Sequence, residues 1–243
     1  MRKYHNSTYR LRTWVSIAIF MLCTIASVSA ATAAIVINNG DFGTEWSTTN
    51  QPGGSGNWYF IEGTTTPLSG DTVAGPAEGL FFAVTDLTRP GAHALTRSFT
   101  VPASAISLEV TFKMFVDSYG GRTIGSNLEY AGASNQHARV DILRDGASAF
   151  DTSAVGVLTN LYLGTDAGNT ANPYKAYQFN LTGILTPGQT YQLRFADVAN
   201  QGLLHMGVDA VYIVAEVPEP SSYMFFALGL GLLWVARRRL QRQ

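Results

Sequence analysis

The chain has 243 residues, of which 46% are hydrophobic and 14% are charged. Globular domains carry about 25% charged residues, so this chain is charge-poor, and its 24 glycines suit a loop-rich β protein better than a helical one. The formal net charge of −1 hides an asymmetry, because residues 31–220 hold 8 basic and 17 acidic residues. This acidic middle argues against nucleic acid as a partner, since phosphate binding needs clustered Lys and Arg.

Residues 1–34 have the three-part order of a secretory signal peptide. A basic stretch, MRKYHNSTYRLR, precedes an apolar stretch, WVSIAIFMLCTIA, and a small-residue stretch, SVSAATAA. The predicted cleavage separates Ala30 from Ala31, and cleavage after Ala33 or Ala34 fits almost as well. An uncleaved membrane helix or a buried core helix is the alternative. Cleavage removes the only cysteine, Cys23, so we expect a mature protein without disulfides.

Residues 35–215 are predicted to form one all-β domain. Apolar and polar residues alternate in ISLEVTFKMFV at 106–116, as expected of a strand with one buried face. Turn sequences such as Arg-Pro-Gly at 89–91 separate such stretches. Further strands are predicted at 34–38, 57–62, 79–84, 94–101, 139–144, 174–181, 190–196 and 206–214. Short strands without helical crossovers predict an antiparallel β-sandwich or jelly roll, flanked by the signal helix and a C-terminal transmembrane helix.

Two connections in this domain are too long for hairpins, at residues 117–138 and 151–173. Irregular segments of more than about 15 residues are uncommon in compact domains and are often functional. A surface loop with a short extra strand is the simpler interpretation of either connection.

The sequence gives little indication of a metal site. The histidines of the predicted mature chain, His93, His137 and His205, lack the spacing of zinc ligands, so we predict no transition-metal site and expect them on the surface or in loops. Calcium needs only oxygen ligands, and Asp41 and Asp209 are the best candidate pair for a structural calcium ion. An exposed position or the capping of a loop are the alternatives for Asp209.

The chain carries no catalytic motif that we recognise. It has no G-x-S-x-G and no glycine-rich phosphate loop, and its 17 acidic residues offer many carboxylate pairs without favouring one. We therefore predict that the protein is not an enzyme and assign no catalytic residue. Trp46, Trp58 and Tyr59 are candidates for stacking on sugar rings, although tryptophans more often fill a core.

Residues 216–243 contain a Pro-Glu-Pro motif, an apolar run and a basic tail. These parts are Pro218, Glu219 and Pro220; the predicted transmembrane segment 221–236; and the tail 237–243 with Arg237, Arg238 and Arg239. Their order resembles the PEP-CTERM sorting signal of exported bacterial proteins. The resemblance implies export, arrest in the inner membrane and processing by an exosortase near Pro-Glu-Pro. The mature protein is then expected at the cell surface or outside the cell, in association with extracellular polysaccharide and biofilm.

The apolar run fits a temporary anchor. As a helix, its 14 residues from Tyr223 to Ala236 would span about 21 Å, short of the roughly 30 Å hydrocarbon core of a bilayer. The arginines that follow are expected to hold the C-terminus on the cytoplasmic side. The run is therefore marginal as a lasting anchor and better suited to a processing signal.

Parts of the middle domain resemble galactose-binding-like jelly rolls. The resemblance rests on NNGDFGTEW at 38–46, and on TYQLRFADVANQG at 190–202 leading to VDAVYIV at 208–214. It implies that Asp41 and Asp209 hold a structural calcium, although an alanine stands here where an asparagine commonly follows the aspartate. Many domains of this class bind glycans, but a fold does not by itself give a function.

Three functions therefore compete. The leading hypothesis is a structural or adhesive component of an extracellular matrix, associated with exopolysaccharide. The second is a glycan-binding module that uses aromatic side chains. The third is a polysaccharide-acting hydrolase, which would need two carboxylates across a cleft.

Overall fold

The computed structural model describes residues 31–38, 42, 45–168, 170–219, 229–232, 234, 237–238 and 241. The predicted signal peptide up to Ala30 lies outside these residues, as do Asp41, Pro220 and Arg239. A compact unit spans Ala33–Glu216, close to the predicted domain 35–215.

The other unit comprises Met1–Thr32 and Val217–Gln243. Its described residues at 229–232, 234 and 237–238 are helical. In the part of the chain that the structure describes, no helix combines the length and the apolar character needed to cross a membrane. Most of the predicted segment 221–236 lies outside that part.

The described residues form strands in two sheets. The strands are β1 (Ala31–Asn38), β2 (Ser47–Asn50), β3 (Asn57–Glu62), β4 (Phe81–Asp86), β5 (Gly91–Thr100), β6 (Ser107–Ser118), β7 (Gln136–Arg144), β8 (Val157–Gly164), β9 (Lys175–Asn180), β10 (Thr190–Ala199) and β11 (Leu204–Pro218). The six-stranded sheet has the order β3-β4-β11-β6-β9, with β1 paired to β11, and the five-stranded sheet has the order β2-β5-β10-β7-β8. The neighbouring strands within these two orders run antiparallel.

The main core lies between the two sheets. Alternate residues of β6, from Leu108 to Val116, are buried there, as the period-2 pattern predicted. Phe112 of the six-stranded sheet meets Phe195 of the five-stranded sheet edge-to-face, with ring centroids 5.2 Å apart. This contact across the layers confirms the predicted antiparallel β-sandwich.

The nine predicted strands are present, and two more were missed. The first, β2, has the sequence STTN and all four residues are exposed, so it shows no apolar alternation. The second, β8, lies inside the connection 151–173, and its register against β7 is irregular. The simpler interpretation of that connection, a loop with a short extra strand, is correct.

A connection between strands covers part of the outer face of each sheet. On the six-stranded sheet, Val73 from the β3–β4 connection packs with Phe82 and Phe115. On the five-stranded sheet, Leu128 from the β6–β7 connection packs on Ala196 and Val198. Part of the six-stranded sheet, over β6, β9 and β11, stays open.

Candidate functional site

The structure contradicts a stacking role for the two predicted tryptophans. Trp46 is 7% exposed and Trp58 is 3% exposed, and both belong to the main core. The Trp46 ring packs 5.6 Å from the Phe42 ring, and the Arg97 guanidinium lies 5.7 Å from its centroid. Neither ring offers a free face to a sugar. The role of both tryptophans is to bury a large aromatic surface in the core.

Tyr59 does not join the tryptophans in the core. It follows Trp58 on β3 and so points to the opposite side of the sheet. There it packs, half-buried, against the small apolar cluster of Val73 and Phe115. The three predicted stacking residues therefore do not form one surface.

Asp209 is buried and fixes the loop between β3 and β4. Its Oδ2 accepts hydrogen bonds from the backbone N–H groups of Ala77 and Glu78, at 2.7 and 2.9 Å. Its Oδ1 accepts one from the N–H of Ala210 at 2.7 Å. Loop capping is thus the observed role of Asp209, and the alternative of an exposed position is wrong.

Of the predicted calcium pair, the structure describes Asp209, whereas Asp41 lies outside the described residues. Among the described residues, no group of three or more His, Cys, Asp or Glu side chains is arranged to hold a metal ion. The structural calcium stays a prediction. Melts in calcium and in EDTA test it, because a ligand that binds the native state raises its stability.

The expectation that the histidines lie on the surface or in loops is wrong. His93, His137 and His205 are at most 1% exposed, and each lies in a strand. His93 lies between the Asp197 carboxylate, 2.9 Å from Nδ1, and the Ser55 carbonyl, 2.7 Å from Nε2. Burial opposes protonation, but these two oxygens dominate and raise the pKa of His93.

The other two histidines have different surroundings. His205 has both ring nitrogens close to oxygens, with the Thr85 carbonyl 3.0 Å from Nδ1 and Asp71 Oδ2 2.9 Å from Nε2. It thereby connects β11 to the β3–β4 connection. Burial, together with the positive charge of Arg139, lowers the pKa of His137 to about 4, so this ring is neutral at pH 7.

Acidic groups lie beside His205 without forming an open site. Asp117 faces His205 across the β6–β11 register, and both are fully buried. Burial raises the pKa of Asp117, although the Asn172 N–H donates to its Oδ1 at 2.9 Å. Because these side chains are enclosed, a polymeric substrate could not reach them.

An irregularity in β11 creates the open part of the six-stranded sheet. The register against β6 shifts between Asp209 and Tyr212, and Ala210 has a left-handed φ of 50°. Val208 before the bulge and Val211 after it both point into the core. The bulge reverses the alternation, so Tyr212 points outward like Asp209. Strict alternation along the strand would instead place Tyr212 on the side of Val208.

The resulting outer-face cleft has a volume of about 300 Å³. It lies over β6, β9 and β11, and its polar lining consists of Glu78, Thr111, Lys113, Gln178 and Tyr212. Ala176 and Ala210 also line it, and their small side chains leave the space above the sheet open. The cleft therefore combines hydroxyl, amide, carboxylate and ammonium groups with the phenol ring of Tyr212, whereas the ring of Tyr177, which also borders the cleft, stacks on Phe112.

Internal contacts position several of these groups. Gln178 Nε2 donates to Glu109 Oε2 at 2.7 Å, which holds the amide across β9 and β6. Glu78 lies on the loop that Asp209 caps. Partial burial and the hydrogen-bonding Glu78 carboxylate raise the pKa of Tyr212, so its phenol stays protonated at neutral pH.

The predicted sorting residues begin where the domain ends. The last β6–β11 pair joins Ser107 to Glu216, and the strand itself ends at Pro218. Near the other end of the motif, the Arg238 guanidinium lies 3.8 Å from the centroid of the Trp234 ring, a cation–π contact. Pro220 and Arg239 lie outside the described residues.

The cleft residues were missed because they are distant in the chain. One signal was present: Val208, Val211 and Ile213 break the period of two, which marks a bulge in a strand.

Comparison with known families identifies the C-terminal segment. Residues 216–239 match the PEP-CTERM protein-sorting motif, in agreement with the resemblance that the sequence showed. No curated protein matches the chain. The motif implies a surface protein that an exosortase sorts.

Several solved structures share some likeness with the domain. TmCBM61 in complex with β-1,4-galactotriose has 11% identity and a TM-score of 0.42, over 74% of this chain and 97% of that one. The K3 cleaved adhesin domain of Lys-gingipain from Porphyromonas gingivalis has 17% identity and a TM-score of 0.43, over 74% and 98%. The family 11 carbohydrate-binding module from Clostridium thermocellum has 12% identity and a TM-score of 0.41, over 77% and 96%. Likenesses this low carry no argument about ligand or activity.

Proposed function

We propose that this chain, which carries a PEP-CTERM sorting motif, is an exported adhesive protein of the extracellular matrix whose sandwich domain binds polysaccharide in the outer-face cleft. The observation that carries this proposal is the open cleft over β6, β9 and β11, with Tyr212 and Gln178 in its lining. It joins the structural and the glycan-binding hypotheses, since binding to polysaccharide is how such a protein would adhere.

The lining of the cleft suits a saccharide. Sugars present hydroxyl groups at their edges and C–H groups on their ring faces, so they bind where hydrogen-bonding groups stand beside an aromatic ring. Gln178 and Thr111 supply the former, and the half-buried Tyr212 supplies the latter. The volume of about 300 Å³ is at the small end of ligand sites, which fits one or two sugar units of a longer chain.

The same lining favours binding over hydrolysis. Glycoside hydrolysis uses two carboxyl groups about 5–9 Å apart across the substrate. Among the residues that line the cleft, Glu78 is the single carboxylate. The proposal therefore includes no catalytic residue.

The sorting route completes the proposal. The signal peptide, cleaved between Ala30 and Ala31, directs the chain across the inner membrane, and the apolar run 221–236 arrests it there. Arg237 and its neighbours hold the tail in the cytoplasm. An exosortase then acts near Pro218, at the end of β11, which releases the folded domain to the surface. Intact mass of the exported protein tests this route, because residues 237–243 should be absent.

Affinity electrophoresis in gels that contain the producing organism's own extracellular polysaccharide tests the binding site. We expect the Tyr212→Ala variant to bind about tenfold more weakly, as for an aromatic residue at the centre of an interface. Loss of one hydrogen bond in Gln178→Ala should weaken binding about fivefold.

The matched control is Gln192→Ala on the other sheet. Gln192 alternates with the core residues Tyr191 and Leu193 on β10, so it lies on the outer face of the five-stranded sheet. This variant should bind like the unmodified protein. Absence of binding by the unmodified protein, or equal binding by all four proteins, would contradict the proposed function.

A further inference from the structure

We infer that the outer-face cleft selects a polysaccharide segment that bears a carboxylate, as in a uronic acid, and that Lys113 binds this carboxylate. The inference rests on the proposed function of the cleft and names the chemical class of its ligand. Lys113 is the single basic residue among those that line the cleft.

The position of Lys113 leaves its side chain accessible from the cleft. On β6 it lies in register with Ala176 of β9 on one side and with Asp209 of β11 on the other. The methyl group of Ala176 is too short to cover it, and the Asp209 carboxylate accepts hydrogen bonds from the 77–78 loop and Ala210 instead. Lys113 is half-buried as a residue, as expected of a lysine whose stem packs on the sheet while its ammonium reaches the cleft.

Lys113 also differs in its charge environment from the other Lys and Arg residues that the structure describes as buried or half-buried. In the described part of the chain, no carboxylate oxygen lies within 4.0 Å of the Lys113 ammonium, so Lys113 forms no ion pair there. By contrast, Arg139 and Arg194 share Asp141. An ammonium that forms no ion pair within the described residues can form a strong charge-assisted hydrogen bond with a ligand carboxylate.

The carboxylate in the cleft lining, Glu78, does not form an ion pair with Lys113. The Glu78 carboxylate acts on Tyr212, whose pKa it raises after the larger effect of burial, and the Glu78 backbone N–H is fixed by Asp209. The domain is acidic overall, so its general field repels polyanions. Attraction of an acidic sugar therefore has to come from this local cation.

A carboxylate fits the neighbours of Lys113 better than a phosphate does. Phosphate and sulfate sites usually combine several cationic or backbone donors around one anion. Here the lining offers one ammonium, with the Thr111 hydroxyl and the Gln178 amide as neutral hydrogen-bonding groups and Glu78 as its carboxylate. One cation beside hydroxyl and amide groups matches a singly charged group on a hydroxylated ring better than a multiply charged anion.

The test compares one polysaccharide in two chemical forms. The producing organism's extracellular polysaccharide is used as purified and after carbodiimide–borohydride reduction, which converts sugar carboxylates to primary alcohols and leaves the glycosidic bonds intact. Titration calorimetry with the exported protein should show at least about tenfold tighter binding of the native form, because hydrogen bonds to charged groups are the strong ones.

Variants assign that difference to Lys113. Lys113→Gln should bind both forms with equal affinity, and Lys113→Arg should keep most of the preference. Arg122→Gln, which removes an exposed charge outside the cleft, should keep all of it. Melting curves of each variant check that the fold is intact.

The outcomes separate this inference from the proposed function. Equal binding of both forms by the unmodified protein, or a preference that survives in Lys113→Gln, overturns the role of Lys113. If Tyr212→Ala still weakens binding in that case, the cleft binds sugar but does not select for charge. Absence of binding to either form overturns the proposed function and this inference with it.

Discussion

The outer faces of the two sheets differ in whether their buried or half-buried charged side chains form ion pairs. On the five-stranded sheet, Arg194 and Asp141 are fully buried and paired, and Arg139 completes a triad. On the six-stranded sheet, Lys113 is half-buried without a carboxylate partner among the described residues. The charges of the first face pair with one another inside the protein, whereas Lys113 on the second face has no such partner among the described residues.

On the outer face of the five-stranded sheet, Arg194 and Asp141 each make several of the polar contacts. Arg194 Nη1 donates to the carbonyls of Ala149 and Asp151 at 2.8 and 2.7 Å, and so ties the β7–β8 connection to the sheet. Burial alone would raise the pKa of Asp141, but the guanidinium groups of Arg139 and Arg194 hold it below its usual value. A charge network of this kind stabilises the fold only while each member has its partner.

The largest expected effect follows from removing the shared carboxylate. Asp141→Asn leaves two buried guanidinium groups without a counter-charge, so the free energy of unfolding should fall by about 3–5 kcal/mol. Denaturation in urea measures this loss. Asp145→Asn, at an exposed turn on the same sheet, is the matched control and should change little. If the two variants are equally stable, the triad does not close this face.

The next effect concerns the loop that borders the cleft. Asp209→Ala leaves the N–H groups of Ala77 and Glu78 without their acceptor, and we expect a loss of about 2–3 kcal/mol, the cost of unpaired buried donors. Amide hydrogen exchange should become faster at residues 77 and 78 and stay unchanged in β10. Uniform exchange across the domain would contradict a local capping role.

A third effect is a dependence of stability on pH. The Asp197 carboxylate and the Ser55 carbonyl raise the folded-state pKa of His93 above its ordinary 6.5, against the effect of burial, and Asp86 contributes a smaller raising effect. A raised pKa means that the protonated ring stabilises the fold, fully below pH 6.5 and progressively less as pH rises through the folded-state value.

Urea denaturation between pH 5.5 and 8.5 measures this effect. The unmodified protein should lose stability across the upper part of this range relative to His93→Gln, which lacks the titrating ring. Parallel curves for the two proteins would show that His93 does not change its protonation between the folded and unfolded states.

Much of the sandwich could be predicted because the apolar strands each bury one face in the core, which gives their sequences an alternating pattern. The alternation at 106–116 predicted β6 to within two residues, and the apolar strands were found in the same way. The polar strand β2 has no such pattern and is held by its pairing with β5 alone. Its existence depends on a neighbour that lies more than forty residues away in the chain.

Less of the site could be predicted, because it is built from distant residues. His93 pairs with Asp197, and no local spacing indicates that contact. Burial of Trp46 and Trp58 likewise follows from the packing of two sheets and not from composition. The sorting motif is the exception, since its order lies within 24 consecutive residues and is recognised without a fold.

The smallest expected effect on stability is that of replacing Lys113, and it bears directly on the difference between the two outer faces. Lys113→Gln should change the free energy of unfolding by less than about 0.5 kcal/mol, because Lys113 has no ion pair among the described residues and its stem stays in place. The same urea experiment as for Asp141→Asn measures it. That result would leave ligand binding as the role that we propose for this half-buried charge. A loss above about 2 kcal/mol would instead make Lys113 a structural residue, and the two faces would no longer differ in kind.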